Sequence, residues 1–289
     1  MTAKAGVVGW PIEHSLSPVL HRYWLKEYDI DGSFERISAE PGKFKDVVSS
    51  LRAKNFRGVN VTVPYKEDAF RLTQAPDLAA RVAGAANLLV FKPDSIAARN
   101  TDASGLFDSL EEKLGHGQLT GKNIVLLGAG GAARGAAFGL QQHGGPAKVT
   151  ILNRNRDRAD QLAAQIGKYL PEAKFATGTL EDWRAAAVDA WLVVNTTSAG
   201  MKGNPPLNID LSVLPNGAAV CDIVYNPLRT PLLEQAAARG LETIDGLGML
   251  MHQAAPSFQA FFHEEMRGQS PKVTQGLRAT LEEALAARG

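Results

Sequence analysis

Residues 122–135, KNIVLLGAGGAARG, constrain the fold of this chain more than any other stretch. Residues 123–127 form a short apolar run rich in β-branched side chains, too short for a helix and suited to a buried parallel strand. The run leads into Gly128, Gly130 and Gly131, and then into an Ala-rich segment of high helix propensity. Strand, glycine turn and helix start in that order make the pattern G-x-G-x-x-G/A, with Ala133 as the last small residue. One glycine permits the tight turn, the next lets backbone approach a pyrophosphate, and the last small residue lets helix pack on strand. The helix N-terminus then offers N–H groups and a partial positive charge to phosphates. The bare pattern is weak, but in this context it predicts a dinucleotide site rather than a plain βαβ turn. Because the motif begins only at residue 122, another domain must precede it.

A chain of 289 residues can form two domains. Apolar content of 45% and charged content of 21% belong to a soluble globular protein. A net charge of +1 gives no electrostatic reason to expect nucleic acid or membrane as a partner. Cys221 is the sole cysteine, so an internal disulfide is ruled out, in keeping with a reducing compartment. It lies in an apolar run and reads as a buried, inert thiol. The six histidines show no metal spacing, so no metal is expected. The first ten residues lack the apolar core of a signal peptide, and no run reaches membrane-spanning length. The expectation is a cytoplasmic α/β protein that acts on a small molecule as a monomer or homodimer.

Strands are predicted at residues 5–9, 33–38 and 58–63, with a hairpin of 88–91 and 96–98 around Pro93-Asp94. Ser17-Pro18 predicts a helix start with Ser17 as N-cap, followed by helices over 41–54, after Pro64 and over 101–114. From residue 123 strands and helices alternate regularly: a helix to about 143, strand 148–152, helix 156–170 and a weak strand near Phe175. Strands 191–195 and 218–224, helix 230–239 and strand 242–244 follow, and the tail from 247 reads as wholly helical. Such alternation implies parallel sheets with helices on both faces.

Several polar groups fall at predicted strand ends, where ligands of α/β sheets collect. Asn60, Thr62 and Lys66 lie at one strand-to-helix junction, and Asn100-Thr101-Asp102 opens another helix. A lysine beside a carboxylate can relay a proton; the plainer alternatives are a surface lysine and an N-cap from Thr101 or Asp102. Ser15 and Ser17 put two hydroxyl donors in a loop that caps a helix, suited to a carboxylate or to simple capping. Neither serine sits in a nucleophile elbow, which argues against a serine hydrolase. Residues 153–158, NRNRDR, follow the second strand of the glycine unit. An NAD site carries an acid about 20 residues after the glycines, whereas arginines suit a 2′-phosphate, so NADP is predicted over NAD. Met249 and Gln253, four apart, share a helix face, and Gln253 there needs a hydrogen-bonding partner. His21 reads as a helix-face residue and His252 as a neighbour of a site.

The motifs HSLSP at His14, NVTVPYK at Asn60, GAANL at Gly84 and NTD at Asn100 occur in order. They continue with GAGGAARG at Gly128, NRNRDR at Asn153, NTTSAGM at Asn195, DIVYNPLRTPLL at Asp222 and DGLGML at Asp245. Together they resemble the shikimate dehydrogenase family along essentially the whole chain. The resemblance implies an α/β protein of two α/β domains. One is a Rossmann NADP-binding domain over 103–246, and the other a substrate domain with a mainly parallel sheet over 1–102 plus 247–289. It implies reduction of 3-dehydroshikimate to shikimate with NADPH, with Lys66 and Asp102 as the catalytic pair. Ser15 and Ser17 would hold the substrate carboxylate; Thr62, Asn87, Asp102 and Gln253 the ring hydroxyls, with Tyr225 beside them. Gly128, Ala129, Gly130, Gly131 and Ala132 would cradle pyrophosphate. Asn153, Arg154 and Arg158 would face the adenosine phosphate, and Thr196, Ile223, Gly246 and Met249 the nicotinamide. The chain departs from the family pattern at Leu88 for Thr, Ala98-Arg99 for Gly-Asp, Ala103 for Gly and Asn155 for Thr. Leu88 and Arg99 adjoin ring-binding positions, which leaves quinate or a related cyclic hydroxy acid as the alternative substrate.

Overall fold

The computed structural model describes residues 2–288. It divides into two compact units: one runs to Thr101 and resumes at Met251, and the other spans Asp102–Leu250.

The first unit is built on β1 (Ala3–Gly9), β2 (Gly32–Ser38), β3 (Phe56–Val61), β4 (Ala75–Pro76), β5 (Leu88–Phe91) and β6 (Ile96–Arg99). These form one sheet in the order β2-β1-β3-β5-β6-β4. β1 pairs parallel with β2 and β3, and β4 parallel with β6, while β5 runs antiparallel to β3 and β6. Its helices are α1 (Ser17–Glu27), α2 (Phe44–Ala53), α3 (Lys66–Arg71) and α4 (Leu78–Ala83). In α2, Phe44, Val48 and Leu51 recur at helical spacing and are buried, packing with Val59, Val61 and Leu89 from the sheet. Asp77 caps α4 by accepting from Ala80 N at 2.7 Å, and Gly84 at φ 60° ends it in a left-handed turn.

The second unit opens with α5 (Asp102–Leu114) and continues through β7 (Asn123–Leu127), α6 (Gly131–Gly139), β8 (Lys148–Leu152) and α7 (Arg156–Gly167). β9 (Phe175–Gly178), α8 (Trp183–Ala187), β10 (Leu192–Asn195), β11 (Ala219–Asp222), α9 (Pro231–Ala238) and β12 (Glu242–Ile244) follow. All six strands are parallel, in the order β12-β11-β10-β7-β8-β9. The strand order therefore reverses between β7 and β10, the point where doubly wound sheets bind their ligands. Val125, Leu127, Val193 and Val220 make the floor of its core. A Cβ on Gly139 would stand 2.7 Å from the carbonyl oxygen of Ala103, so this glycine lets α6 lie close against α5.

The chain then forms α10 (Gly246–Phe262), whose residues from Met251 belong to the first unit, and α11 (Gln275–Ala286). Trp24 Nε1 donates to Lys272 O at 2.8 Å, tying the connection between these helices to α1. Trp24, Phe258, Phe261 and Phe262 are all fully buried.

Several expectations need correction. Leu16, not Ser17, is the N-cap residue of α1, and it offers no side-chain bond; Ser15 Oγ accepts the Ser17 N–H instead, at 3.3 Å. The tail is helical only in part, since residues 263–274 connect two helices without continuing either. The helix after β7 changes to a π-helical turn at Leu140–Gly144. The short helices α4 and α8 and the two-residue β4 carry too few residues to show a period. Cys221 is buried, and desolvation raises its thiol far above the ordinary range. Among the described residues no helix is long and apolar enough to cross a membrane.

His21 lies on the buried face of α1: it is fully buried, and its ring stacks on Phe34 with centroids 3.8 Å apart and planes 4° from parallel. Burial lowers its pKa to about 3, with an interaction with Asn60 opposing that shift. The unfolded chain takes up a proton below about pH 6.5 that the folded chain refuses. Stability should therefore fall by about 1.4 kcal/mol per pH unit on this account as pH drops through that window. Urea unfolding at pH 7 and pH 5 should show His21→Phe losing about 2 kcal/mol less than the wild type between the two. Equal losses would contradict the assignment.

Candidate active site

In the first unit the polar residues at the carboxyl ends of β1 and β3, and at the start of antiparallel β5, are fixed by backbone bonds to neighbouring strands. Thr62 N donates to Val8 O at 3.0 Å and Trp10 N to Val63 O at 3.2 Å, so the segments leaving β1 and β3 run together. Tyr65, buried and stacked on Phe44 at 4.8 Å, donates its hydroxyl to Ala39 O at 2.7 Å. That anchor places half-buried Lys66 as the first residue of α3, and the Lys66 carbonyl accepts from Ala86 N at 2.8 Å.

Asn87 is the centre of this end of the sheet. Its side-chain oxygen accepts from Thr101 N at 2.8 Å, and Nδ2 lies 3.0 Å from Thr101 Oγ1 and 3.3 Å from Gln253 Oε1. Its main-chain oxygen accepts from Val61 N at 2.8 Å and from Asn60 Nδ2 at 3.2 Å. Asn60 Nδ2 also reaches Ser257 Oγ at 2.7 Å, and Thr101 Oγ1 donates to Gln253 O at 2.8 Å. Of the residues singled out in the sequence, the structure thus joins Asn87 and Gln253, with Asn60 and Thr101 as supports. Ser257 is an addition without a local signal, because its partner Asn60 lies 197 residues away. Asp102 follows Thr101 directly and is the first, half-buried residue of α5 in the second unit. Leu88 is fully buried and in register with Asn60 and Arg99, while Arg99 is exposed.

In the second unit, Gly128 has φ 110°, and a Cβ there would stand 2.9 Å from Thr196 Oγ1 and 3.0 Å from Thr197 Cγ2. Only glycine satisfies both conditions. Gly130 and Gly131 are the reverse case: nothing lies within 4 Å of where their Cβ atoms would be, leaving open space over bare backbone. Gly130 is the N-cap of α6, so this space adjoins a helix N-terminus, a setting that fits a pyrophosphate. Ala129 and Ala133 are buried and Ala132 is half-buried. Beyond β8, Asn153 Nδ2 donates to Asn155 O at 2.8 Å, and Asn155 caps α7 by accepting from Arg158 N at 3.3 Å. Arg154 and Arg158 are exposed, so their guanidinium groups are free to meet a phosphate from solvent.

The remaining strand ends are locked by buried polar side chains. Thr196 Oγ1 donates to Leu127 O at 2.7 Å, holding the end of β10 against β7 beneath Gly128. Asn195 Nδ2 donates to Asp222 Oδ1 at 3.0 Å, and its oxygen accepts from Thr197 N at 3.0 Å. Asp222 further accepts from Val224 N at 3.1 Å and from Thr230 Oγ1 at 2.7 Å. Burial pushes the Asp222 carboxyl up, and these bonds oppose the shift. Ile223 and Tyr225 are half-buried next to it, as is Met249 in α10. A Cβ on Gly246 would meet Ile223 O at 2.1 Å, so the chain can enter α10 there only as glycine. Among the described residues no group of three or more His, Cys, Asp or Glu could hold a metal ion. Gly128→Ala should lower unfolding stability by about 1–3 kcal/mol and displace the turn. A fluorescence titration should then show dinucleotide affinity reduced at least about tenfold; unchanged affinity would mean that the turn does not carry the phosphates.

Comparison with known proteins agrees with this geometry. Residues 7–89 match the family model described as the shikimate dehydrogenase substrate binding domain, and residues 109–202 that of shikimate / quinate 5-dehydrogenase. The chain is 44% identical over 281 residues to the shikimate dehydrogenase (NADP(+)) of Afipia carboxidovorans, covering 97% of each protein. It is 47% identical over 280 residues to that of Methylobacterium radiotolerans, covering 96% of this chain and 95% of the other. Shikimate 5-dehydrogenase from Thermus thermophilus, solved in complex with NADP(H) and shikimate, superposes with a TM-score of 0.82 at 32% identity, covering 99% of each chain. With both units matched and relatives spanning nearly its whole length, the chain belongs to the shikimate dehydrogenase family.

Proposed function

We propose that this protein is an NADP-dependent oxidoreductase that interconverts 3-dehydroshikimate and shikimate by hydride transfer, in aromatic amino acid (chorismate) biosynthesis. It would act in the cytoplasm as a monomer or homodimer on a small molecule, with no metal. The observation that carries the reading is whole-length identity of 44–47% to NADP(+)-dependent shikimate dehydrogenases in a chain that keeps Lys66 and Asp102.

When bound, reduced NADP would supply a hydride to the ring carbonyl carbon. The carbonyl oxygen, becoming an alkoxide, then needs a proton from the protein. Lys66 is the proposed donor from its ammonium group, and in the reverse direction its amine takes the proton from the hydroxyl. Asp102 is its partner in acid–base chemistry and an acceptor for a ring hydroxyl. Ser15 and Ser17 hold the carboxylate, and Thr62, Asn87, Gln253 and Tyr225 orient the ring. The backbone of Gly128, Ala129, Gly130, Gly131 and Ala132 takes the pyrophosphate. Asn153, Arg154 and Arg158 take the 2′-phosphate through charge-assisted bonds. Thr196, Ile223, Gly246 and Met249 face the nicotinamide. Support for the division of labour comes from the hydrogen bonds that fix Asn87, Gln253 and Thr196 in place. The quinate alternative rests on Leu88 and Arg99. Leu88 has no accessible surface and so cannot touch a substrate entering from solvent, which favours shikimate.

Steady-state oxidation of shikimate with NADP tests the reading, with Lys66→Ala as the informative variant. Loss of the proton donor should cut kcat by about 10²–10⁴-fold with little change in shikimate KM. A variant with kcat within a few-fold of wild type would show that Lys66 only binds.

A further inference from the structure

Two guanidinium groups hold the backbone of the loop that carries Ser15 and Ser17. Arg36, on β2, donates from Nε at 3.2 Å and from Nη2 at 2.9 Å to the carbonyl oxygen of Ser15. Arg288, just beyond α11, donates from Nη1 to the carbonyl oxygen of His14 at 2.8 Å. Neither forms an ion pair with a carboxylate among the described residues. Desolvation, and then the nearby charges of Arg288 and Arg22, hold Arg36 below the usual arginine range. Like charges gathered at one short loop repel each other, and an anion bound at the loop would relieve that repulsion.

The reach of Arg288 depends on α11 being fixed against α1. Lys272 N donates to Tyr28 OH at 2.9 Å, and Tyr23 OH lies 3.4 Å from Thr274 Oγ1. Thr274 also caps α11, accepting from Leu277 N at 3.2 Å. A Cβ on Gly276 would stand 2.7 Å from Tyr23 OH, so the two helices meet closely at this glycine. The end of the chain is thereby delivered to the loop.

We infer that Arg36 and Arg288 are positioning residues for the substrate carboxylate. They pin the peptide carbonyls of His14 and Ser15 in the loop that carries the Ser15 and Ser17 hydroxyls, and they supply the positive charge that neutral hydroxyls lack. The inference rests on the proposed role of this loop in holding the carboxylate. Charge-assisted bonds to a carbonyl also polarise the peptide that carries it, which strengthens the donors further along the loop.

The test compares shikimate with its uncharged methyl ester, at saturating NADP, in wild type, Arg36→Gln, Arg36→Lys, Arg288→Gln and Ser15→Ala. Each glutamine variant should raise shikimate KM by about three- to tenfold, with kcat within about twofold. The ester KM should stay within about twofold, so that the preference for acid over ester falls by nearly the full factor. Added salt should raise shikimate KM less in these variants than in wild type, because a screened attraction has already been removed. Arg36→Lys should recover part of the preference. Equal loss for acid and ester, with NADP affinity intact, would show mere loop support and overturn the inference. If Ser15→Ala lowers the acid preference and both glutamine variants keep it, the inference falls while the role of the loop stands. Preference unchanged in all three would remove the carboxylate from this loop, and the inference with it.

Discussion

The first unit depends on a buried amide that must be satisfied. Asn87 lies beneath the surface at the start of β5, where an unpaired donor or acceptor would cost about 1–3 kcal/mol. Its side chain meets that demand through Thr101 and Gln253, and its carbonyl accepts from Asn60. Thr101 is the last residue before the chain leaves this unit, and Gln253 comes just after it returns. One amide therefore fixes, within the first unit, both the place where the chain departs and the place where it re-enters. The polar cluster and the path of the chain are one construction.

The second unit solves the same problem with a chain of buried groups along the carboxyl ends of its strands. Thr196 bonds β10 to β7, Asn195 bonds β10 to Asp222 at the end of β11, and Asp222 bonds Thr230. Thr230 in turn caps α9 through Leu233 N, so the network ends at a helix start. The left-handed turn at Gly128 sits directly over Thr196, which makes the glycine and the threonine hydroxyl parts of one fitted surface. A rigid frame of this kind lets Gly130 and Gly131 expose bare backbone without a side chain of their own to order it.

Much of this was readable from the residues alone. β8 and β12 coincide with the strands expected at 148–152 and 242–244, because apolar runs bounded by turn residues define them sharply. The reversal of strand order needs tertiary pairing, but the strand–glycine–helix order itself is the one the sequence predicts. What escaped was long-range or masked by residue type. Asn87 and Gln253 stand 166 residues apart, and no local pattern pairs them. His21 sits one residue from Leu20 and three from Trp24, on the face of α1 that is buried, and a polar ring at that spacing does not by itself say which face it shares. Ser17 looked like a cap because a hydroxyl before proline usually is one; here Ser15, two residues upstream, accepts its N–H. The roles given to individual site residues came from family resemblance, since hydroxyls and amides at strand ends do not by themselves name a substrate.

The most direct measurement of the central claim is kcat/KM of the wild-type protein for shikimate and quinate, each with NADP and NAD. Quinate carries an extra hydroxyl at the carboxylate-bearing carbon, and a site shaped for shikimate leaves that group unpaired or crowded. Exposed Arg154 and Arg158 after β8 likewise favour the cofactor that bears a 2′-phosphate. The account predicts shikimate over quinate by at least about tenfold, and NADP strongly over NAD. Quinate equal to or better than shikimate, or equal kcat/KM for the two cofactors, would contradict it.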